Sequence, residues 1–379
     1  MALVFADGFD GYPSTTYMTR AGWANNGVVS ASSGKFSTNA LGLNLFNGGR
    51  GYATSPRFTI NDNDFKTSFW ARNADFGIEA ATGSNIIYLA QVIDVNRMYG
   101  VRITLNSSTG YPQIGYMDSY FGNFIPKFNV NTGFAYSCGD SQWHHYEMRF
   151  VPSNTTTGLV QLWVDSQLLM DYQNVPTINT SNSIVNNANG KSLTNIILSW
   201  PGTGGLYGDY YMRWDDVIVW DNSGSEMNTA TKLGPHRIRS LWPVANGTYK
   251  QWNGYANTGG NYSAVATIDD DSGFAEANNA QLKDSYYVTT IPANPTKIPA
   301  ITVRTHQRNA DIGDKQFSIF LKSGAIEVNS NSYIMNTTLT YTYAPNTINP
   351  IIYHANPNGN IAWTSSSLAN VEIGMKVEN

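Results

Sequence analysis

Charge is scarce in this 379-residue chain, and no segment concentrates basic residues. Charged residues make up 13% of the sequence, against roughly a quarter in a typical soluble domain, and the formal net charge is −4. No run of Lys and Arg occurs that could neutralise a series of phosphates. The composition therefore argues against nucleic acid as a partner. Asn, Ser, Thr and Gly are abundant instead of charged residues.

Cysteine is nearly absent, and long apolar runs and a basic leader are missing. Cys138 is the single cysteine, so an intramolecular disulfide framework is excluded, which fits folding in a reducing cytosol. The apolar runs are only a few residues long, whereas a helix that spans a bilayer needs about 20. The first residues lack the basic region of a secretory signal. We therefore expect a protein that folds in the cytoplasm where it is made and does not insert into a membrane.

Aromatic residues, in contrast, are abundant. They account for 13% of the chain, with 23 Tyr, 16 Phe and 10 Trp, which is ample material for packed cores. The apolar segments are short and are bounded by Gly, Pro, Asn, Asp or Ser, as is typical of strands. No segment shows a sustained helical period with caps. The sequence therefore predicts an all-β protein in which helix makes up less than roughly a tenth of the chain.

Alternating apolar residues locate individual strands. Every second residue is apolar across residues 146–150 and 160–164, and the polar residues 165–167 then precede another short apolar run, which predicts a β-hairpin. Within residues 211–220 the alternation is interrupted at Asp215-Asp216, which predicts a β-bulge. The predicted strands also contain Trp70, Trp143 and Trp163, which we expect to be largely buried.

The apolar pattern stops once along the chain, after Trp220, and resumes at Leu233. The length exceeds what one core usually serves, so we predict two domains. These are an antiparallel jelly-roll sandwich over residues 1–222 and a second, smaller β-sandwich domain over residues 235–379, joined by a linker over residues 223–234. The second domain is predicted to open with a strand that includes Ile238, Ser240 and Trp242. The apolar pattern of residues 363–377 predicts a helical turn followed by a last strand.

Segments of the first predicted domain resemble laminin-G-like or concanavalin A-like jelly rolls. In chain order they are Ser68-Phe69-Trp70-Ala71-Arg72, Gln142-Trp143-His144-His145-Tyr146-Glu147, Leu162-Trp163-Val164-Asp165 and Trp214-Asp215-Asp216-Val217. In that family a Trp-His pair opens a central strand, a hairpin with a turn glycine follows, and an acidic strand closes the sheet. Ser166 stands here in place of the turn glycine. The resemblance covers roughly residues 1–222 and implies a jelly-roll fold.

Other segments resemble uncharacterised bacteriophage structural proteins. They are Leu233-Gly234-Pro235-His236-Arg237-Ile238, Asn261-Tyr262-Ser263-Ala264-Val265, the acidic run Asp269-Asp270-Asp271 and parts of the tail at residues 362–377. Residues 7–12 resemble the N-termini of the same proteins. The resemblance implies a virion component that combines a jelly roll with this C-terminal module. We expect such a component to contact other virion proteins and copies of itself.

The ionisable residues form no recognisable catalytic motif. The five histidines are His144, His145, His236, His306 and His354. Neither the H-E-x-x-H nor the G-x-S-x-G pattern occurs. His144 and His145 are adjacent, so on a strand they point to opposite faces and do not readily share a metal ion. Asp165 and Asp215 are the best-placed acids for glycoside cleavage, yet turn and bulge roles account for both. The sequence therefore predicts a protein that is not an enzyme.

The acidic residues raise the question of a bound calcium ion. Jelly-roll lectins often hold a cation through loop carboxylates and carbonyls, and calcium prefers oxygen ligands. The candidate sources are Asp7, Asp10, Asp215 and Asp216 in the first domain and Asp269, Asp270 and Asp271 in the second. None belongs to an EF-hand loop. We favour solvated acidic loops and therefore predict no cofactor and no metal site.

Aromatic residues in stretches rich in Gly, Asn and Pro are the candidate contact residues. They are Tyr111, Tyr116, Tyr120, Phe121, Phe124, Tyr207, Tyr210, Trp252, Tyr255 and Tyr262. Aromatics on such loops stack on sugar faces or pack against a neighbouring subunit, and we favour subunit contact. Cys138 has no nearby basic residue to lower its pKa, so we expect a passive thiol.

Three functions remain open from the sequence. The first is a non-enzymatic structural protein on the surface of a phage particle, as a decoration of the capsid or as part of the tail or a fibre. The second is a receptor-recognition protein that binds glycan on the host surface. The third is an enzyme that degrades polysaccharide. Scarce charge favours the first, because surfaces rich in Asn, Ser, Thr and aromatics form wide contacts with little desolvation of ions.

Overall fold

Antiparallel strands make up most of the protein in the computed structural model. Strands account for 52% of the chain and helices for 7%, which confirms the predicted all-β class and the scarcity of helix. The structure describes residues 2–25, 28–36, 39–44, 51–73, 85–94, 97–105, 109, 111–117, 124–130, 138, 140, 142–153, 155–177, 195–200, 211–224, 232–255, 260–291, 295, 297–310, 313–335, 341–344 and 351–379. No helix within these ranges is long and apolar enough to cross a membrane.

The chain divides into two compact units. Unit 1 comprises Met1–Arg239 with Thr347–Asn349, and unit 2 comprises Ser240–Asn346 with Pro350–Asn379. The strand predicted to include Ile238 and Trp242 is wrong, since the first strand of unit 2 begins at Pro243. The physical reason is that backbone amides before Ser240 donate to side chains of unit 1 instead of joining a strand ladder.

Unit 1 contains fifteen strands and one short helix among its described residues. These are β1 (Ala2–Asp7), α1 (Thr15–Arg20), β2 (Ala24–Asn25), β3 (Val28–Ser33), β4 (Asn39–Asn44), β5 (Gly51–Thr54), β6 (Phe65–Asn73), β7 (Asn85–Asp94), β8 (Arg97–Leu105), β9 (Pro112–Met117), β10 (Phe124–Asn129), β11 (Trp143–Val151), β12 (Gly158–Val164), β13 (Gln167–Val175), β14 (Asn195–Trp200) and β15 (Tyr211–Asp221).

The strands of unit 1 form two antiparallel sheets. The first has the order β13-β12-β11-β6-β15-β4-β3, with β1 pairing the later part of β15, and the second has the order β10-β9-β8-β7-β14-β5-β2. The sheets meet at their edge strands, where the Phe128 and Tyr172 rings lie 5.0 Å apart and the Tyr172 hydroxyl donates to the Asn129 carbonyl at 2.9 Å. This arrangement is the predicted antiparallel jelly-roll sandwich.

Two local irregularities in the first sheet match the sequence prediction. Asp165 and Ser166 connect β12 to β13 with positive φ at both residues, 47° and 72°, as a two-residue hairpin turn requires. Ser166 therefore adopts the conformation for which the turn glycine is used in the resembled family. The predicted bulge is confirmed by a register shift between Asp215 and Ile218, where Asp216 has φ 51°.

The tryptophan predictions are confirmed for two of three residues. Trp70 and Trp163 are buried, whereas Trp143, at the first position of β11, is half-buried and its burial was overestimated. The largest fully buried side chains of the unit instead include Trp23, Trp214 and Trp220.

Unit 2 contains twelve strands, two short α-helices and one 3-10 helix, Asp270–Ser272, among its described residues. These are β16 (Pro243–Lys250), β17 (Asn253–Tyr255), α2 (Asn261–Ala264), β18 (Phe274–Glu276), β19 (Lys283–Val288), β20 (Ile301–Val303), β21 (Thr305–Gln307), β22 (Lys315–Ser323), β23 (Ile326–Asn329), β24 (Tyr333–Met335), β25 (Thr342–Ala344), β26 (Ile351–Tyr353), α3 (Ser365–Leu368) and β27 (Val371–Val377). The predicted helical turn and final strand of the tail are thus confirmed.

A six-stranded antiparallel sheet is the centre of unit 2. Its order is β16-β19-β27-β22-β23, with β24 pairing the other end of β22, and three two-stranded pairs, β17-β18, β20-β26 and β21-β25, lie outside it. Val303 of β20 and Tyr353 of β26 share a core with Phe317 and Ile319 of β22. Unit 2 is therefore a second, smaller layered β structure with its own core.

Candidate functional site

The predicted contact residues are described to different extents. Side chains are described for Tyr111, Trp252, Tyr255 and Tyr262. Tyr116 and Phe124 lie in β9 and β10, and their side chains are outside the described part. Tyr120, Phe121, Tyr207 and Tyr210 lie outside the described residues altogether. Tyr111 is half-buried directly before β9.

Trp252 and Tyr262 belong to a hydrogen-bonded framework. The Trp252 indole donates to the Leu282 carbonyl at 3.2 Å, and the Tyr262 amide donates to the side chain of Asn246 at 2.9 Å. The Asn261 amide group donates to the Trp252 carbonyl at 2.7 Å. Both aromatic residues are partly buried. Their contacts are therefore within unit 2.

A buried carboxylate completes this framework. Asp284 of β19 accepts hydrogen bonds from the Asn261 amide at 2.8 Å and from the Tyr286 hydroxyl. Burial raises the pKa of the Asp284 carboxyl and also that of the Tyr286 hydroxyl. A Cβ at Gly254 would lie 2.7 Å from the Asn261 side-chain oxygen, so β17 needs glycine at this close approach. The network fixes β17 and α2 against the main sheet.

Tyr255 differs from its predicted companions because it is 55% exposed. Its ring stacks on Phe274 across the β17–β18 pair, with centroids 4.8 Å apart and an interplanar angle of 15°. The stack supports the tyrosine ring without covering it. Tyr255 is therefore a preformed aromatic surface on unit 2.

Among the residues whose side chains the structure describes, exposed large apolar side chains lie mostly in unit 2. Of the eight large apolar residues that are exposed in the described part of the chain, Leu168 is in unit 1 and seven are in unit 2. Those of unit 2 are Val244, Tyr255, Tyr287, Ile326, Val328, Ile334 and Ile361. Ile326 and Val328 alternate along β23, and Ile334 lies on β24.

Strands β23 and β24 are edges of the six-stranded sheet. Each pairs only with β22 among the described strands. Ile334 on β24 is 65% exposed. An edge strand presents backbone donors and acceptors to a neighbouring chain, and proteins usually protect such edges with charge or proline. The apolar side chains on β23 and β24 make these edges suited to protein contact.

In unit 1, a segment that we name the strap, residues 232–239, lies across the face of the first sheet opposite the sandwich core. The Glu147 carboxylate of β11 accepts hydrogen bonds from the Leu233 and Gly234 amides, the latter at 2.8 Å. Burial raises the pKa of Glu147, an effect that these two amides oppose. The Trp70 indole donates to the His236 carbonyl at 3.0 Å.

The far end of the strap is held by the bulge of β15. The Asp216 carboxylate accepts a hydrogen bond from the Ile238 amide at 2.7 Å, and the Asp216 carbonyl accepts one from His236 Nε2 at 2.7 Å. A Cβ at Gly8 would lie 2.9 Å from Ile238 Cβ, so the chain packs closely here. Sequence reasoning placed residues 232–234 in a linker, because no local pattern reveals acceptors so distant in the chain.

His145 of β11 contacts His236 of the strap. His145 Nε2 lies 2.8 Å from Ser68 Oγ and 3.4 Å from His236 Nδ1, and Ser68 Oγ lies 3.4 Å from His236 Nδ1. Burial and the neighbouring His236 lower the pKa of His145 to about 3. A serine next to a neutral histidine is the start of a nucleophilic site, but Ser68 is fully buried.

His144 lies on the opposite face of β11, as predicted from its adjacency to His145. Its Nδ1 contacts Asp165 at 2.7 Å and its Nε2 contacts Asp140 at 2.8 Å. Burial lowers the pKa of the ring, but the hydrogen bonds to Asp165 and Asp140 outweigh that effect and raise it overall. Asp165 thus links the hairpin turn to β11, which is the structural role considered for it.

The acids considered for calcium have protein partners. Asp7 accepts hydrogen bonds from the Phe9 amide, the Tyr12 hydroxyl and the Trp23 indole. Asp215 accepts from the Lys35 amide at 2.9 Å and the Asp216 amide at 2.9 Å.

Burial raises the pKa of the Asp215 carboxyl and that of Asp216, and the proximity of the two carboxyls raises the Asp216 value further. Among the described residues, no group of three or more His, Cys, Asp or Glu side chains has metal-binding geometry.

The acidic run of unit 2 is also engaged within the unit. Asp271 pairs with the Arg308 guanidinium at 2.6 Å and accepts a hydrogen bond from the Tyr341 hydroxyl at 3.2 Å. Arg308 lies over the Tyr341 ring, which stacks on His306 with centroids 5.0 Å apart. The Asp271 side chain is nonetheless exposed, as expected for a solvated acidic loop, and it also has a distant arginine and tyrosine as partners.

Cys138 is buried, and burial raises the pKa of its thiol to about 12. A thiol with such a pKa remains protonated at neutral pH and is a poor nucleophile.

Comparison with solved structures gives several distant similarities. No family model and no curated protein matches the chain. An alginate lyase, Aly36B, aligns with 58% of this chain and 98% of its own at 8% identity and a TM-score of 0.40. A β-1,4-glucuronan lyase from the fungus Trichoderma reesei aligns with 58% of this chain and 96% of its own at 14% identity and a TM-score of 0.38.

A third structure comes from a virus. A carbohydrate esterase of the Shiga toxin-encoding bacteriophage phi24B aligns with 58% of this chain and 100% of its own at 14% identity and a TM-score of 0.36. These similarities are too distant to carry an argument about this chain. The assignment of the fold depends on the strand pairing described above.

Proposed function

We propose that this chain is a non-enzymatic structural protein on the surface of a phage particle, where unit 2 contacts other virion proteins. The single observation that carries the proposal is the concentration of exposed apolar side chains in unit 2, at seven of eight described positions. Apolar side chains that form a continuous exposed patch mark contact with another protein, and Ile326, Val328 and Ile334 lie on two strands that both pair with β22. The sequence resemblance to phage structural proteins supplies the kind of partner.

The chemistry of the edges supports protein contact. A partner strand added beside β23 or β24 would satisfy backbone groups and cover Ile326, Val328 or Ile334 at the same time. Charged residues make up only 13% of the chain, so covering its surface costs little desolvation of ions. A stable interface buries about 1,200–2,000 Å² in total, which a unit of this size can supply.

The polar clusters of unit 1 support a role without turnover. Ser68, His145 and Glu147 are buried. Backbone amides of the strap donate hydrogen bonds to Glu147 at one end and to Asp216 at the other. Catalysis needs such groups in a cleft that a substrate can enter. In this proposal they hold the strap in place.

The test is incorporation of full-length variants into particles that lack the native protein. Ile334→Asp places a charge on the exposed edge of unit 2, and Leu168→Asp places the same charge at an exposed apolar position of unit 1 as the matched control. Copy number per particle is measured by quantitative mass spectrometry. We expect Ile334→Asp to lower it at least tenfold, because a charge in an interface costs about 2 kcal/mol or more.

Two outcomes would contradict the proposal. If Leu168→Asp abolishes incorporation and Ile334→Asp does not, attachment belongs to the jelly roll. If the native chain itself is not incorporated, the protein is not a virion component. The native copy number further separates a capsid decoration, present in many copies, from a fibre or vertex component, present in few.

Recognition of host glycan is the second candidate, and the exposed Tyr255 ring favours it. A ring that is stacked on Phe274 and 55% exposed offers a flat apolar face to a sugar. Binding of the intact chain to host-surface polysaccharide would be compared with that of Tyr255→Ala and of Tyr111→Ala. Loss of binding in Tyr255→Ala alone would support this function, and the absence of binding by the native chain would exclude it.

A further inference from the structure

We propose that Lys66 and Asn222 of unit 1 form an intramolecular amide bond between their side chains, with Asp64 as the catalytic carboxylate. Lys66 lies in β6, Asp64 directly precedes that strand, and Asn222 directly follows β15. The bond joins Lys66 Nζ to Asn222 Cγ and releases ammonia. It cross-links the end of β15 to β6 within the first sheet.

The pairing of β6 with β15 places the three side chains on one face of the first sheet. The ladder pairs Trp220 with Lys66, and two residues further along the antiparallel chains come Asn222 and Asp64. Side chains two residues apart on an extended chain point to the same face. Lys66 Nζ lies 2.7 Å from Asn222 Oδ1. The amine is therefore already in contact with the carboxamide that it attacks.

Asp64 contacts both nitrogen atoms that take part in the step. Its Oδ1 lies 2.9 Å from Lys66 Nζ, and its Oδ2 accepts a hydrogen bond from Asn222 Nδ2 at 2.6 Å. Attack of an amine on an amide requires that one proton leaves the attacking nitrogen and that one reaches the departing nitrogen. A carboxylate with one oxygen on each nitrogen serves both transfers without moving.

Arg149 of β11 fixes this carboxylate. Its Nε donates to Asp64 Oδ1 at 2.9 Å and its Nη2 donates to Asp64 Oδ2 at 2.6 Å. Such bidentate pairing sets the plane of the carboxylate and favours its charged form, which is the form that accepts a proton.

Asn222 is held in place by its neighbour Asp221. The fully buried Asp221 carboxylate accepts hydrogen bonds from the Ser223 amide at 2.9 Å and from the Asn61 amide at 2.6 Å. These contacts fix the backbone beside the reacting carboxamide, and fixed reactants gain the rate advantage of a unimolecular step. Asn222 itself is exposed, so the released ammonia has direct access to solvent.

The burial of Lys66 supports a chemical role. Lysine is seldom fully buried, yet Lys66 is only 1% exposed. Burial disfavours the charged ammonium and so favours the neutral amine, which is the nucleophilic form. The contact thus combines a buried amine, a carboxamide and a carboxylate that links their nitrogens.

The step balances in atoms and electrons. After the Lys66 ammonium has released one proton to solvent, the Nζ lone pair forms the bond to Asn222 Cγ. The Cγ–Nδ2 bond breaks and its electron pair stays on Nδ2. Asp64 takes one proton from Nζ and delivers one to Nδ2, so ammonia leaves and the carboxylate is regenerated. The step needs neither an oxidant nor a reductant.

The cross-link gives the chain a stabilisation that its single cysteine does not provide. Lys66 and Asn222 are 156 positions apart, so the bond closes a long loop. A covalent bond across such a loop restricts the unfolded chain, as a disulfide does.

The test is the intact mass of the full-length chain, measured by mass spectrometry under denaturing conditions. We expect a mass that is lower than the sequence mass by one ammonia, and a branched peptide containing Lys66 and Asn222 after protease digestion. The branched peptide distinguishes the bond from succinimide formation at an asparagine, which loses the same mass. Lys66→Arg keeps the positive charge and should have the full mass. Lys322→Arg, which changes a lysine of unit 2 that pairs with Glu372, should keep the loss of ammonia.

Asp64→Asn tests the carboxylate. This variant keeps the size of the side chain and should form the branched peptide about a hundredfold more slowly, in a time course that starts from freshly made protein.

Three results would overturn the proposal. If the native chain keeps its full mass after prolonged incubation at neutral pH and gives separate peptides for Lys66 and Asn222, the contact is a hydrogen bond only. If Lys66→Arg still loses ammonia and gives a branched peptide, the cross-link is elsewhere. If Asp64→Asn forms the bond at the native rate, Asp64 is not catalytic.

Discussion

The Glu147 carboxylate accepts a hydrogen bond from the Gly234 backbone amide at 2.8 Å, although the two residues are 87 positions apart. This contact joins the central strand β11 to the strap and places residues 232–239 in unit 1. It makes the strap part of the folded sandwich. The stability of unit 1 should therefore depend on the Glu147 carboxylate.

Replacing Glu147 should destabilise unit 1. In Glu147→Ala the Leu233 and Gly234 amides lose their acceptor, which we expect to cost about 1–3 kcal/mol in the free energy of unfolding. Glu147→Gln keeps one acceptor oxygen and should cost less. Urea unfolding followed by tryptophan fluorescence measures both, with Glu276→Ala, an exposed position of unit 2, as control. Equal stability of Glu147→Ala and the native chain would show that the strap is not held by this carboxylate.

Trp214 should matter more for stability than Trp143. Trp214 is fully buried in β15, and its truncation to Ala should cost about 3–5 kcal/mol because the surrounding sheets cannot close the cavity. Trp143 is half-buried at the start of β11, so Trp143→Ala should cost distinctly less. The comparison uses the unfolding midpoint of unit 1 in urea. A larger effect of Trp143→Ala would mean that the register of β11 is different.

The ion pairs of His144 predict a pH dependence. Its pKa in the folded protein is raised above the ordinary value of 6.5 by Asp165 and Asp140, which outweigh burial. The stabilisation is therefore fully present below the unfolded-state pKa and is lost as the pH rises through the folded-state pKa.

We expect the Tm difference between the native chain and His144→Gln to be larger at about pH 5.5 than at about pH 8.5. Both carboxylates are partly exposed, so solvent screening keeps the difference modest. A difference that is the same at the two pH values would show that His144 is not charged in the folded protein.

Cys138 should resist alkylation in the folded protein. Its thiol is buried and its pKa is raised to about 12, so little thiolate forms at about pH 8. Mass spectrometry after iodoacetamide treatment should show no adduct on the native chain and complete modification in urea. Rapid modification of the native chain would place the thiol at the surface.

Local patterns in the sequence determined the all-β class and several individual features. Alternation of apolar residues located β12 and the start of β13, the polar residues between them indicated the hairpin, and the break at Asp215-Asp216 indicated the bulge. The tail near Ser365–Leu368 was read correctly because a helical turn and a strand each have a local signature. These features depend on neighbours within a few residues, which a sequence displays directly.

Only the tertiary structure decided which distant residues meet. The sequence placed residues 232–234 of the strap in a linker and residues 235–239 in the second domain, because the strap's hydrogen-bond acceptors, Glu147 and Asp216, are on distant strands. The pairing of Asp271 with Arg308 and of His145 with His236 has no local pattern either. The burial of Trp143 was overestimated because composition and alternation do not report how much of a strand's end is covered. Contacts of this kind arise when sheets pack and bring side chains from separate strands together, and a single sequence does not record that packing.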